Sequence, residues 1–198
     1  MTEGDRGEWL QTFSGVKFFI RDPRPEDVRI EDIAHALSMV CRFGGHVRKP
    51  YSVAEHSVRV SECIAELGGT PEEVFWGLMH DAAEAYVGDI IWPLKRQPEL
   101  SGYKIVERRV ELAICKAFGM SYDMPAIVKH ADLVMLATEK RDLMRGDHTT
   151  VEREAIAAKG ETDKWYCDDV QPHPKAIVGW PPYDAKALFL GHFQKVKR

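Results

Sequence analysis

The chain reads as an all-α protein, and three observations point that way. Apolar residues recur at helical spacing in several stretches. Helix-start signals such as Ser52-Val53-Ala54-Glu55 and Thr70-Pro71-Glu72-Glu73 precede such stretches, and Gly44-Gly45, Gly68-Gly69, Gly88 and Gly119 follow them. Strand-like alternation is nearly missing, so residues 1–198 are expected to form one helical bundle of six or more helices.

Taken in order, residues 1–28 read as irregular, apart from a short extended piece at 15–20 before the turn enforced by Asp22-Pro23-Arg24-Pro25. From Ile30, the apolar positions Ile33, Ala34, Leu37, Met39 and Val40 predict a helix that stops at Gly44-Gly45. The capping box at Ser52 opens a second helix, whose apolar stripe is Val53, Val60, Ile64 and Leu67. His56 falls on that stripe, as either a hydrogen-bonded core histidine or a ligand. Thr70 and Pro71 then open a helix expected to run unbroken through 74–87 and to end at Gly88. Pro93 and Pro98 keep the next segment a loop, before a helix over 101–118 that Gly119 ends. Pro125 is placed in the first turn of a helix that runs past Ala137 toward Met144. Residues 150–159 read as helical, Gln171-Pro172-His173-Pro174 and Trp180-Pro181-Pro182 as loops, and 184–196 as an amphipathic helix carrying Ala185, Leu188, Phe189 and Phe193.

Composition excludes several function classes. A net charge of −4 gives no basic stripe for nucleic acid. No apolar run reaches the roughly 18 residues a membrane span needs. The polar, acidic start MTEGDRGEWL is unlike a signal peptide, and Cys41, Cys63, Cys115 and Cys167 form no CxxC pair. Together these features indicate a cytoplasmic protein with reduced thiols. Trp165 and Trp180 are read as exposed, which permits a homodimer without requiring one.

The stretch Val74-Phe-Trp-Gly-Leu-Met-His-Asp-Ala-Ala-Glu-Ala-Tyr-Val87 organises the rest. Apolar nearly all round, it is predicted to be buried, yet it carries His80, Asp81 and Glu84. Unpartnered buried ionisable groups cost several kcal/mol each, and a cation resolves that cost by keeping the carboxylate charged and the imidazole neutral. Two other helices place His56 and Asp132 on apolar faces. His56, His80, Asp81 and Asp132 thus form a mixed nitrogen and oxygen donor set for one divalent metal ion. Manganese, cobalt, magnesium, zinc, iron and nickel all suit such a set. The bland alternative is a scatter of unrelated buried polar residues.

The order and the local words resemble the HD-domain phosphohydrolases, in particular the bacterial 5′-deoxynucleotidases and related small deoxynucleotide phosphohydrolases. Cys41-Arg-Phe-Gly, Tyr51-Ser-Val-Ala-Glu-His56-Ser, His80-Asp-Ala-Ala-Glu-Ala-Tyr-Val-Gly-Asp89, Pro93-Leu-Lys95 and Val128-Lys-His-Ala-Asp132 carry the resemblance, over about residues 30–145. It implies that His56, His80, Asp81 and Asp132 are metal ligands, Glu84 the acid/base, and Asp89 the aspartate near the sugar or the attacking water. Arg42 matches the arginine that holds the substrate phosphate. Lys95 matches a second cationic contact or is a solvated loop lysine. Phe43 stands where those deoxynucleotidases have a sugar-contacting tryptophan. The expected substrate is a small nucleotide, most simply a deoxynucleoside monophosphate. The alternatives are triphosphate release from a dNTP, with Arg48, Lys49, Lys95 and Arg96 as extra cations, a non-catalytic nucleotide-binding HD module, and a helical metal oxygenase.

Overall fold

α2 (Val53–Glu66) is the central rod of an all-helical bundle, and its sequence explains why. Val53, Ala54, Val58, Val60 and Ile64 are wholly buried, so the helix is apolar on more than one side and is walled in by neighbours. The computed structural model describes residues 6–162 and 164–197. Ahead of α2 come β1 (Leu10–Gln11), β2 (Lys17–Phe18) and α1 (Ile30–Met39); after it come α3 (Pro71–Met79), α4 (Glu84–Val87), α5 (Trp92–Lys95), α6 (Ser101–Phe118), α7 (Ala126–Leu143), α8 (Thr150–Ala158) and α9 (Pro182–Val196). α1, α3, α7 and α9 surround α2, and α9 crosses back over α1 and α3. One apolar core joins them, centred on Trp76, Ile33, Leu37, Leu78 and Phe189.

Local chemistry accounts for most boundaries. Ser52 Oγ accepts the Glu55 N–H at 3.1 Å and caps α2. The expected capping box is only half made. The Glu55 carboxylate turns away to accept the Trp180 N–H at 2.6 Å and the Arg59 guanidinium at 2.7 Å, tying the α9 approach to α2. Thr70 and Glu73 do make the full reciprocal box that opens α3. α6 runs as predicted and stops at Gly119, which is left-handed at φ 70°. The extended piece expected near residues 15–20 is β2, whose Phe18 stacks on Tyr86 with ring centroids 3.8 Å apart.

Several expectations need correction. α1 ends at Met39 rather than at Gly44-Gly45, because Val40 turns extended and the Arg42 N–H bonds the Tyr51 carbonyl at 2.9 Å. Pro93 does not keep its segment a loop: it occupies the first turn of α5, where its missing N–H has no intrahelical partner to lose. Pro125 lies one step outside α7, as its N-cap. Trp165 and Trp180 are half-buried, not exposed. Among the described residues the four cysteines are free, three of them buried.

The main correction concerns residues 74–87, which are not one helix. α3 ends at Met79, a tight turn covers 80–83, and α4 starts at Glu84. Bonds from Ala82 N–H to Met79 O and from Glu84 N–H to Asp81 O show the narrower three-residue spacing. The cause is visible in the Gly77 carbonyl. It accepts His80 Nδ1–H at 2.8 Å, whereas a continuing helix would offer that carbonyl to the Asp81 N–H.

Candidate metal centre

Gly77 also decides how near α3 comes to α2. A Cβ there would lie 2.4 Å from Ile64 Cδ1 and 3.2 Å from the Ser61 Cα, so only glycine permits this approach. His56 projects from α2 and His80 from the end of α3 into the space between, and α7 brings Asp132 to the same place. The two imidazole Nε2 atoms lie 3.3 Å apart. Asp81 Oδ2 is 3.2 Å from His80 Nε2 and 3.7 Å from His56 Nε2. Asp132 Oδ1 is 3.2 Å from His56 Nε2. The ligand atoms of His56, His80 and Asp81 all fall within 4.8 Å of one another, with Asp132 reaching the group through His56.

The tautomers follow from the other ring nitrogens. A carbonyl oxygen only accepts, so His80 Nδ1 carries its proton toward Gly77. His56 Nδ1 faces Glu139 Oε1 at 2.6 Å and donates to it. In the neutral form of each ring, the lone pair therefore sits on Nε2, and both lone pairs face the carboxylates of Asp81 and Asp132. His56, His80 and Asp81, with Asp132 against His56, could hold a first-row divalent ion, which two imidazoles and two carboxylates suit. Each histidine also has the oxygen partner on its far nitrogen that orients a metal-bound imidazole.

Burial and Arg42 work against protonating His56, but Glu139 and Asp132 outweigh them and push its pKa up to about 9. Burial likewise opposes, and Asp81 overcomes, an upward shift at His80. Asp81 is held far below the ordinary carboxylate range against burial, chiefly by His80, His56 and Arg42. Asp132 is lowered against burial by His56, although its side chain stays 41% exposed.

Glu139 was not anticipated from the sequence. It is wholly buried, binds His56, and pairs with Arg42 Nη2 at 3.2 Å. The signal was present: Glu139 lies seven residues after Asp132, two turns along the same helix face, in the otherwise uncharged run Leu136-Ala137-Thr138. Arg42 stands in the short 3-10 turn Arg42–Gly45, with Nη1 3.4 Å from Asp81 Oδ2. Its buried Nε–H meets no acceptor among the described residues. The next residue, Phe43, is left-handed (φ 58°, ψ 25°), a conformation costing about 1–2 kcal/mol for a bulky side chain. That turn carries Arg42 back toward the imidazoles.

Glu84 opens α4 with its carboxyl buried and Oε2 unpartnered among the described residues. Burial, then the charges of Asp81 and Asp89, raise it well above the usual carboxylate range. Asp89 follows Gly88, half-buried and raised by burial and by Asp81. Lys95 bonds Glu107 at 2.6 Å on α6 and is raised by that partner against burial. Its ammonium is thus already matched by a carboxylate. His46 and His130, the spare histidines of the sequence, are both exposed.

No family model matches the chain. The uncharacterized protein YfdR of Escherichia coli (strain K12) is 44% identical to it over 135 residues, which cover 68% of this chain and 72% of YfdR. The uncharacterized protein RCAP_rcc00048 of Rhodobacter capsulatus is 39% identical over 200 residues, covering 96% of each chain.

Proposed function

The chain belongs to the family of YfdR and RCAP_rcc00048, and from the site described above we propose that it is a cytoplasmic, metal-dependent phosphohydrolase of the HD-domain type. Its substrate in this reading is a deoxynucleoside 5′-monophosphate, from which it releases phosphate. One observation carries the reading: His56 and His80 Nε2 lie 3.3 Å apart, each with an aspartate oxygen at 3.2 Å, and the buried Arg42 Nε–H beside them has no partner among the described residues.

A divalent cation held by His56, His80, Asp81 and Asp132 would polarise a phosphate oxygen and lower the pKa of a bound water toward neutrality. Arg42 gives its Nε–H to the phosphate, while Glu139 and Asp81 hold the rest of the guanidinium in place. Asp89 takes a proton from the attacking water. The water oxygen joins phosphorus as the bond from phosphorus to the sugar oxygen breaks. Glu84, whose acid form burial and the charges of Asp81 and Asp89 favour, gives a proton to the departing 5′ oxygen.

Monophosphate is the simpler reading: of the cations a triphosphate would call on, Lys95 is matched by Glu107, while Arg48, Lys49 and Arg96 lie exposed. The absence of any membrane-length apolar helix among the described residues fits a protein that works on a small dissolved substrate. The test is a product analysis with dAMP and dATP and each divalent metal in turn. Orthophosphate from dAMP is expected. Intact triphosphate from dATP would replace this reading with the triphosphohydrolase one, and no release from either nucleotide with any metal would remove both.

A further inference from the structure

Consecutive residues Trp165 and Tyr166 touch aromatic rings on the two separate segments that carry Arg42 and Asp89. The Trp165 ring lies 6.4 Å from that of Phe43, the neighbour of Arg42. The Tyr166 ring lies 5.4 Å from that of Trp92, three residues beyond Asp89. The segment is pinned from behind. Cys167 is buried against Leu136 and Ala137, and Asp168 accepts from Lys140 Nζ at 2.6 Å. The anchoring of this loop on α7 thus sets two ring pairs on the segments that carry Arg42 and Asp89.

Phe43 and Trp165 pack against the small cluster of Leu136, Ala137 and Cys167, but the other two rings are not core filler. Trp92 is 51% and Tyr166 56% exposed, although each buries well when given a partner. Trp92 also has the Arg96 guanidinium 5.4 Å from its ring centre, so its exposed surface is apolar with a cation at the edge. Burial, and the charges of Asp132 and Glu139 against that of Arg42, push the Tyr166 hydroxyl up to about 12.

We propose that Trp92 and Tyr166 form the subsite for the planar base of the nucleotide, with Phe43 and Trp165 walling the path from there to Arg42. At 5.4 Å the paired rings leave no room for a third ring between them, so the base lies across their exposed faces. Such stacking tolerates any base, because every base has a π-face, and it discriminates nucleotides from plain sugar phosphates. The proposal rests on the phosphohydrolase reading for the position of the phosphate.

The experiment compares dAMP with 2-deoxyribose 5-phosphate by titration calorimetry, on manganese-loaded Glu84→Gln protein so that binding is read without turnover. dAMP is expected to bind about tenfold or more tighter. Trp92→Ala with Tyr166→Ala should abolish that preference and leave 2-deoxyribose 5-phosphate binding within about twofold, and Trp92→Phe with Tyr166→Phe should keep it. Equal binding of the two ligands by the parent protein overturns the proposal, as does an undiminished preference in the double alanine variant. Equal weakening of both ligands overturns it too, since a merely structural role would act that way. Phosphate release is scored separately on the otherwise unaltered protein. Ring-dependent dAMP binding without release of phosphate leaves the base subsite standing and removes the hydrolase reading.

Discussion

His56 Nδ1 and Glu139 Oε1 lie 2.6 Å apart in the centre of the bundle, neither residue exposed and 83 positions between them in the chain. Through its other oxygen Glu139 also holds Arg42, so one carboxylate orients both a proposed metal ligand and the proposed phosphate donor. Glu139→Gln keeps the shape and an acceptor for His56 but removes the charge. Competition against a chelating dye should show metal affinity falling about 10- to 100-fold. Affinity equal to that of the unaltered protein would show that the charge plays no part.

Arg42→Lys keeps the positive charge but loses the fork that reaches Glu139 and Asp81 together. The expected result is a rise in KM for dAMP of roughly tenfold or more, about what losing one hydrogen bond between charged groups costs. An unchanged KM would place the phosphate elsewhere.

Glu84→Gln removes the proton donor and leaves the four metal ligands untouched. Elemental analysis should find metal content unaltered, while phosphate release drops by about 10²- to 10⁴-fold. Full activity in this variant would rule out the role given to Glu84.

Gly77→Ala forces a methyl group against Ile64 and the α2 backbone. Thermal and urea unfolding should show a loss of about 1–3 kcal/mol. Ile64→Val, which trims the side chain whose Cδ1 the new methyl would meet, should recover part of that loss when combined with it in a double-mutant cycle. A Gly77→Ala protein as stable as the parent would mean that α2 and α3 separate at no cost.

The helices that begin with strong caps were legible in the sequence. Thr70 and Glu73 at the start of α3, and Gly119 at the end of α6, act locally, and local chemistry survives folding. The convergence of His56, His80, Asp81 and Asp132 was legible for another reason: ionisable groups on apolar faces have few places to go. What the sequence hid depends on tertiary partners. The break at His80 comes from a ring nitrogen competing for the Gly77 carbonyl, and no propensity scale records that. The half-made capping box at Ser52 exists because Glu55 finds Trp180, 125 residues away. Glu139 was overlooked because an acid in a helix is ordinarily solvated, and only the packing of α7 on α2 buries this one.

His56 and His80 stand on helices adjacent in sequence, joined by a tight turn at Gly68 and Gly69, whereas both acids that steady His56 come on α7. During synthesis His56 therefore leaves the ribosome well before Asp132 and Glu139, whereas His80 leaves with Asp81 beside it. A chain halted ahead of Ala126 would own both imidazoles, Asp81 and the Gly77 carbonyl, but neither of the α7 carboxylates that face His56. The full set of acids around His56 is thus assembled only once α7, from the late-made half of the polypeptide, has docked on α2.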